Sequence, residues 1–242
     1  MVKTLPSQVR FKLNIPNVDQ LISFNAGDFA VYTGDFAVLY GSYSVSYLTS
    51  LLCVRAQLPV QLEGLASDVV YVDGSNTFRL YQVTRLAQAH NLNPEHVLDR
   101  VHIARAFTAY QMMKLVTEKL AETVERCSAK LVIVSDVAGT FLDKDMPDDE
   151  TCSLYRHLMA YLSAFSKAKN LILIATQLPH KNTQRSNYLQ TLTCTNANVV
   201  MSLMQTKYER RFVLEKHPNS VLGYAVMPSE IYTLMEYMES AW

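Results

Sequence analysis

Residues 36–59 read Phe36-Ala37-Val38-Leu39-Tyr40-Gly41-Ser42-Tyr43-Ser44-Val45-Ser46-Tyr47-Leu48-Thr49-Ser50-Leu51-Leu52-Cys53-Val54-Arg55-Ala56-Gln57-Leu58-Pro59, and this stretch decides the fold. Its first five residues are continuously apolar, as a parallel strand covered on both faces requires. A glycine turn follows, and then a helix-length stretch over about 44–57. The unit recurs downstream. Apolar runs stand at Val69-Val70-Tyr71-Val72, Leu131-Val132-Ile133-Val134 and Leu171-Ile172-Leu173-Ile174-Ala175, with helix-length stretches over about 79–92, 107–127 and 150–168. Ala109, Met112, Met113, Val116 and Leu120 recur at helical spacing and give one apolar face. Strands alternating with helices specify a parallel sheet with helices on both sides. After residue 195 the runs Val199–Met204, Arg211–Leu214 and Gly223–Met227 are joined by short connections, so they are expected as antiparallel strands at the sheet's edge.

Composition excludes several function classes. Of 242 residues 49% are hydrophobic and 18% charged, which rules out intrinsic disorder. The formal net charge is zero, so no global field draws nucleic acid to the surface and any basic site is local. Cys53, Cys127, Cys152 and Cys194 are far apart and form no CxxC pair, which argues against a zinc ribbon or a redox dithiol. The six histidines show no metal-ligand spacing. No signal-peptide pattern opens the chain and no apolar run is long enough for a membrane span. Free thiols fit a reducing compartment, cytoplasmic and nucleoid-associated or nuclear.

The first strand-to-helix turn is where α/β nucleotide proteins hold phosphate. The pattern G-x-x-x-x-G-K-[ST] needs a glycine for close backbone approach, a lysine for the β/γ-phosphates and a hydroxyl for Mg²⁺. Counted from Gly41, Ser46 stands at the second glycine, Tyr47 at the lysine and Leu48 at the hydroxyl. Ser42, Ser44 and Ser46 cluster there too, yet without the G-x-S-x-G elbow of a hydrolase nucleophile.

The surroundings resemble the RecA/RadA recombinases, in their archaeal and eukaryotic branch. Thr33–Gly41 and Leu51–Pro59 resemble that family's first strand and helix, and Tyr71-Val72-Asp73-Gly74-Ser75-Asn76-Thr77-Phe78-Arg79 resembles its Y-I-D-T-E-G-T-F-R. Leu98–Phe107 is similar to L-D-N-I-x-x-A-R-A-F, Leu131–Asp136 to L-x-I-V-D-S, and Ala175-Thr176-Gln177 to the T-N-Q that links nucleotide state to the DNA loops. The matches run in family order from about residue 17 to 227. The resemblance implies a RecA-like ATPase core: a mostly parallel central sheet flanked by helices, with antiparallel strands added at the C-terminal edge. Residues 1–242 are expected as a single domain, with 1–16 an N-terminal extension and no N-terminal helical DNA-binding domain.

The departures from the family pattern bear on function. The water-activating glutamate position holds Ser75, and Ser135 stands at the aspartate of the second nucleotide strand. Asp136, one residue on, is expected by strand alternation to point to the other face. Anchoring the first helix on Gln57-Leu58-Pro59 places Val45 at the lysine and Ser46 at the hydroxyl, so neither alignment supplies a lysine. Phosphoryl transfer depends on these groups, and hydrolysis is expected to be absent, with no catalytic residue and no cofactor. The alternative is ATP binding without hydrolysis, through the backbone N–H groups of 42–48.

With the pocket degenerate, function is expected on surfaces. The resemblance implies a recombinase paralog that assists homologous recombination and DNA repair by binding a recombinase or another paralog, with single-stranded DNA as a further candidate ligand. Of the two family DNA loops, the first corresponds to 143–150, whose five acids and one lysine repel phosphate. The second corresponds to 179–188, where Lys181, Arg185 and Tyr188 offer cations and a stacking ring, extended by Lys207, Arg210 and Arg211. An ordinary polar loop is the other reading of 179–188. Tyr232, Met235, Tyr237, Met238 and Trp242 stand near helical spacing and serve either as core or as a docking face.

Overall fold

The computed structural model describes residues 9–15, 17–21, 24–26, 36–206, 209–218 and 220–227. Lys207 and the stripe from Tyr232 to Trp242 lie outside them. Strand β1 (Val9–Phe11) pairs antiparallel with β2 (Phe24–Ala26), and the short helix α1 (Val18–Leu21) lies between them in sequence. The core then runs β3 (Phe36–Tyr40), α2 (Val45–Arg55), β4 (Val69–Asp73), α3 (Leu80–Ala89), α4 (Pro94–Asp99) and β5 (Val101–Arg105). It continues through α5 (Ala109–Lys114), α6 (Leu120–Cys127), β6 (Leu131–Ser135), α7 (Asp148–Lys169), β7 (Ile172–Gln177) and α8 (Gln184–Asn196). Strands β8 (Val199–Gln205), β9 (Arg210–Lys216) and β10 (Gly223–Val226) complete the described chain.

The main sheet has eight strands in the order β10-β9-β8-β3-β7-β6-β4-β5. All pairings from β8 to β5 are parallel, and β8–β9 and β9–β10 are antiparallel, as the change of pattern after residue 195 predicts. Alternate residues of each strand feed two apolar layers. Ala37 and Leu39 join the layer under α2, α3 and α4; Phe36 and Val38 join the one under α5 to α8. The stretch 1–16, counted above as an N-terminal extension, contributes Phe11, Leu13 and Ile15 to the first layer.

Helix α2 has no polar face: Val45 and every residue from Tyr47 to Arg55 are buried, because the helix is enclosed between the sheet and its neighbours. Helices α5 and α6 are one rod joined by a wide turn of π type over Leu115–Lys119. Its buried residues Met112, Val116, Leu120 and Val124 recur every four positions, a period that drifts around a 3.6-residue helix; the wide turn corrects the drift and keeps the stripe on the core. No helix among the described residues is long and apolar enough to cross a membrane.

Candidate phosphate-loop site and its surroundings

Gly41 begins the turn in a left-handed conformation, φ 105°, and a Cβ there would lie 2.7 Å from the Leu203 carbonyl oxygen, so only glycine fits. Only three residues separate it from the start of the helix at Val45. A loop of the P-loop pattern has five residues between its first glycine and its lysine, and that length is what wraps a phosphate. Here the backbone closes on itself. The N–H of Ser44 donates to Ser42 Oγ, and those of Val45, Ser46 and Tyr47 to the carbonyls of Ser42, Tyr43 and Ser44, at 3.1 to 3.2 Å. That of Leu48 also reaches the Ser44 carbonyl, at 3.3 Å. The N–H groups of Ser44 to Leu48, which the sequence offered to an anion, are therefore taken up inside the turn.

The side chains close the same space. Val45 and Leu48 are fully buried and Tyr47 nearly so, all in one apolar layer, and burial raises the Tyr47 phenol above its ordinary pKa. Whichever alignment is chosen, the lysine position is a buried core residue; Ser46 is half-buried. Tyr43 is exposed, and its hydroxyl donates to the Pro179 carbonyl at 3.2 Å, tying the turn to the loop after β7.

Beside the turn lies a buried polar cluster. Asp73, at the end of β4, accepts from Thr77 N–H at 2.7 Å, Thr77 Oγ1 at 2.9 Å and Phe78 N–H at 3.1 Å, with Arg105 of β5 at 3.8 Å. Ser135 Oγ lies 2.5 Å from Thr77 Oγ1 and accepts from Thr176 Oγ1 at 3.4 Å. The expected orientation of Asp136 needs correction. Strand β6 ends at Ser135, and Asp136 has φ 47°, so strand alternation no longer governs it. Its fully buried carboxylate turns to Ser75, accepting from Ser75 Oγ at 2.5 Å, from Leu178 N–H at 3.1 Å and from His180 Nε2 at 2.8 Å. Gly139 makes room: a Cβ there would stand 2.3 Å from both Asp136 Oδ2 and Ser75 Oγ. The bond to Asp136 holds the His180 imidazole above its ordinary pKa, against the opposing effect of burial.

Asp73, Thr77, Thr176 and His180 are thus site residues that motif reading passed over. Both carboxylates are saturated with donors, and the turn offers no cation. This chemistry fastens three segments together, the turn after β4, the end of β6 and the loop after β7. Gln177, the residue that the resemblance gives a coupling role, donates instead to Tyr155 Oη at 3.1 Å and Thr193 Oγ1 at 2.9 Å, packing α7 against α8.

Several of the candidate DNA residues are engaged within the fold. Residues 184–188 are helical rather than loop, started by a capping box of Thr183 and Ser186. Arg185 turns onto the acidic segment: Nε donates to Asp148 Oδ1 at 2.6 Å, Nη1 to the Asp143 carbonyl at 2.5 Å and Nη2 to the Met146 carbonyl at 2.8 Å. Tyr188 accepts a hydrogen bond from Arg156, whose guanidinium also lies over the ring at 5.7 Å. Arg210 is buried; Arg211 pairs with Glu209 and lies 4.6 Å over the Tyr224 ring, on β9. Lys181 is exposed.

The sequence model of the Rad51 family matches residues 17–188, from α1 into α8. The chain belongs to the Rad51 family. Consistent with the archaeal and eukaryotic branch, this Rad51-family chain is 29% identical over 128 residues to the DNA repair and recombination protein RadA of Cenarchaeum symbiosum, covering 52% of this chain and 32% of that one. It is 33% identical over 94 residues to the meiotic recombination protein DMC1 of Saccharomyces cerevisiae, covering 39% of this chain and 28% of that one. The chain thus spans about a third of the length of these curated relatives.

Proposed function

We propose that this Rad51-family chain serves homologous recombination and DNA repair as a paralog that does not hydrolyse ATP, a scaffold that binds a recombinase or another paralog. The observation that carries the reading is the closed turn at 41–48. Its N–H groups from Ser44 to Leu48 are internally bonded and its lysine position is core, so the groups that position and neutralise a triphosphate are missing. A surface suited to a protein partner is the outer edge of β5, which pairs with β4 on one side alone among the described strands. Ile103, Phe107 and Tyr110 stand exposed on this strand and just beyond it, at 41%, 73% and 56%, and an open edge with apolar neighbours is a template for an added strand.

Calorimetry of the folded chain with Mg-ATP and with Mg-ADP tests the reading. No saturable heat is expected, and clear binding of either nucleotide overturns the closed-turn argument. A second reading, a structural subunit without DNA contact, is favoured by the engagement of Arg185 on residues 143–148. Anisotropy with a single-stranded oligonucleotide across a salt series separates the two. Weakening by Lys181→Ala with a flatter salt slope assigns DNA contact to the loop, and absence of binding leaves the protein scaffold alone.

A further inference from the structure

The segment that leaves β6 and enters α7 is held down at its middle and poorly matched at its ends. At the middle Met146 is buried, and Arg185 of α8 bonds the Asp143 and Met146 carbonyls and the Asp148 carboxylate. The ends are different. Thr140, in a turn of 3-10 helix over Gly139–Phe141, and Thr151, in the first turn of α7, are buried, and neither Oγ1 has a hydrogen-bond partner among the described residues. Gln177 Oε1, at the end of β7, is a third buried oxygen of this kind. All three adjoin Tyr155. It stands one turn beyond Thr151 on α7 and accepts from Gln177 Nε2 at 3.1 Å. Its ring meets that of Phe141, the residue after Thr140, edge-on at 5.0 Å. Each of these oxygens has given up water without gaining a donor or acceptor, and that opposes the closed arrangement.

We propose that residues 142–147 form a two-state strap, closed by the Arg185 latch and biased toward opening by the unpaired oxygens of Thr140, Thr151 and Gln177. The structure is the closed state. In the open state the strap lifts, water reaches the three oxygens, and the Arg185 fork loses its acceptors. Latch and unpaired oxygens act on one equilibrium with opposite sign, so the open state is a minor population set by their difference. The strap itself resists little. Asp143, Lys144, Asp145 and Pro147 are exposed and only Met146 is buried, so opening forfeits little apolar burial. The consequence is a change of surface charge. Closed, Arg185 is neutralised by Asp148; open, it is an exposed cation one helical turn from Tyr188, on whose ring Arg156 also rests.

Amide hydrogen exchange of the full chain, under conditions where reclosing outpaces exchange and across a series of low urea concentrations, reads this equilibrium. The N–H groups of Leu142, Met146 and Thr151 donate to the carbonyls of Gly139, Asp143 and Pro147 at 3.2, 3.4 and 2.9 Å. They are expected to exchange together, faster than those of β6 and β7 and with little dependence on urea. Thr151→Val keeps the shape and removes one unpaired hydroxyl, so it slows them roughly tenfold. Thr140→Val, at the other end of the strap, acts in the same direction. Arg185→Ala removes the latch and speeds them by more than about tenfold. Exchange as slow and as urea-dependent as that of the strands overturns the strap, and so does an Arg185→Ala chain in which these amides do not speed up. Unchanged or faster exchange in both valine variants overturns it too, because the hydroxyls are then bonded in the closed state.

Discussion

Arg185→Ala separates a latch from a nucleic-acid contact. The guanidinium makes three bonds to the 143–148 segment and its side chain is only 19% exposed, whereas its ionic partner Asp148 is 76% exposed. The ion pair itself, open to water, contributes roughly 0.5 kcal/mol. The two carbonyl bonds are made by a charged donor and are worth more, though both carbonyls can be rehydrated once the segment loosens, so about 1.5 kcal/mol is expected for the pair. The sum of about 2 kcal/mol lowers Tm by about 4–8 °C in a chain of this size. Arg185→Lys keeps the charge and loses the fork, so it recovers the ion-pair share alone. Reversible urea unfolding followed by circular dichroism, in low and high salt, measures both variants; most of the loss persists in high salt because the carbonyl bonds are screened little. A stability change within 0.5 kcal/mol, coupled with weaker binding to a single-stranded oligonucleotide, would refute the latch and return Arg185 to the DNA-binding role.

Three other outcomes follow from the site. Val45→Lys, which restores a lysine where the Gln57-Leu58-Pro59 alignment puts it, yields no Mg-ATP heat and destabilises by roughly 3–5 kcal/mol, because the ammonium enters a fully buried position; saturable nucleotide binding by this variant contradicts the short-turn argument. Gly139→Ala forces a Cβ into the Ser75–Asp136 bond and lowers the urea midpoint, more than the equivalent change at Gly223, where the nearest atom is 3.5 Å away. The His180 bond makes stability depend on pH: its folded pKa is raised above 6.5, so protonated His180 stabilises fully below that pH and the contribution fades as pH rises through the raised value. The stability difference between the unaltered chain and His180→Gln should therefore shrink on going from pH 6 to pH 8, and a difference that grows with pH contradicts the assignment.

The elements legible in the sequence are those where one physical signal dominates. Strands β3, β4 and β6 are continuous apolar runs because both faces are covered, and their residues fall where the runs are. Strand β5 carries no such run: as an edge strand it needs burial at Val101 but tolerates His102 and Arg105, which break the pattern. Helix α8 was hidden by its threonines and asparagines, which favour turns locally; only Leu189 and Thr193 are buried, too few for a periodic signal. Helix α4 carries a start signal in Asn93-Pro94-Glu95, with Asn93 Oδ1 accepting from Glu95 and His96 N–H, but its 6 residues are too few for a periodic apolar pattern. In the site, the missing lysine and the serines at 75 and 135 were readable by position. The meeting of Ser75, Asp136 and His180 was not, since it depends on a single left-handed residue and on segments far apart in the chain.

The open edge of β5 also governs how much of this protein stays in solution. Its outer side pairs with no strand among the described residues, and such an edge is a template for a strand from another chain, a second copy included. Charge does nothing to prevent it, because the formal net charge is zero near neutral pH and colloidal repulsion is weakest there. On the proposed reading that a protein partner caps this edge, protein made in excess of that partner is expected to self-associate. The expected outcome is a higher soluble yield when such a partner is produced jointly, and an unchanged yield contradicts the capping role of the edge.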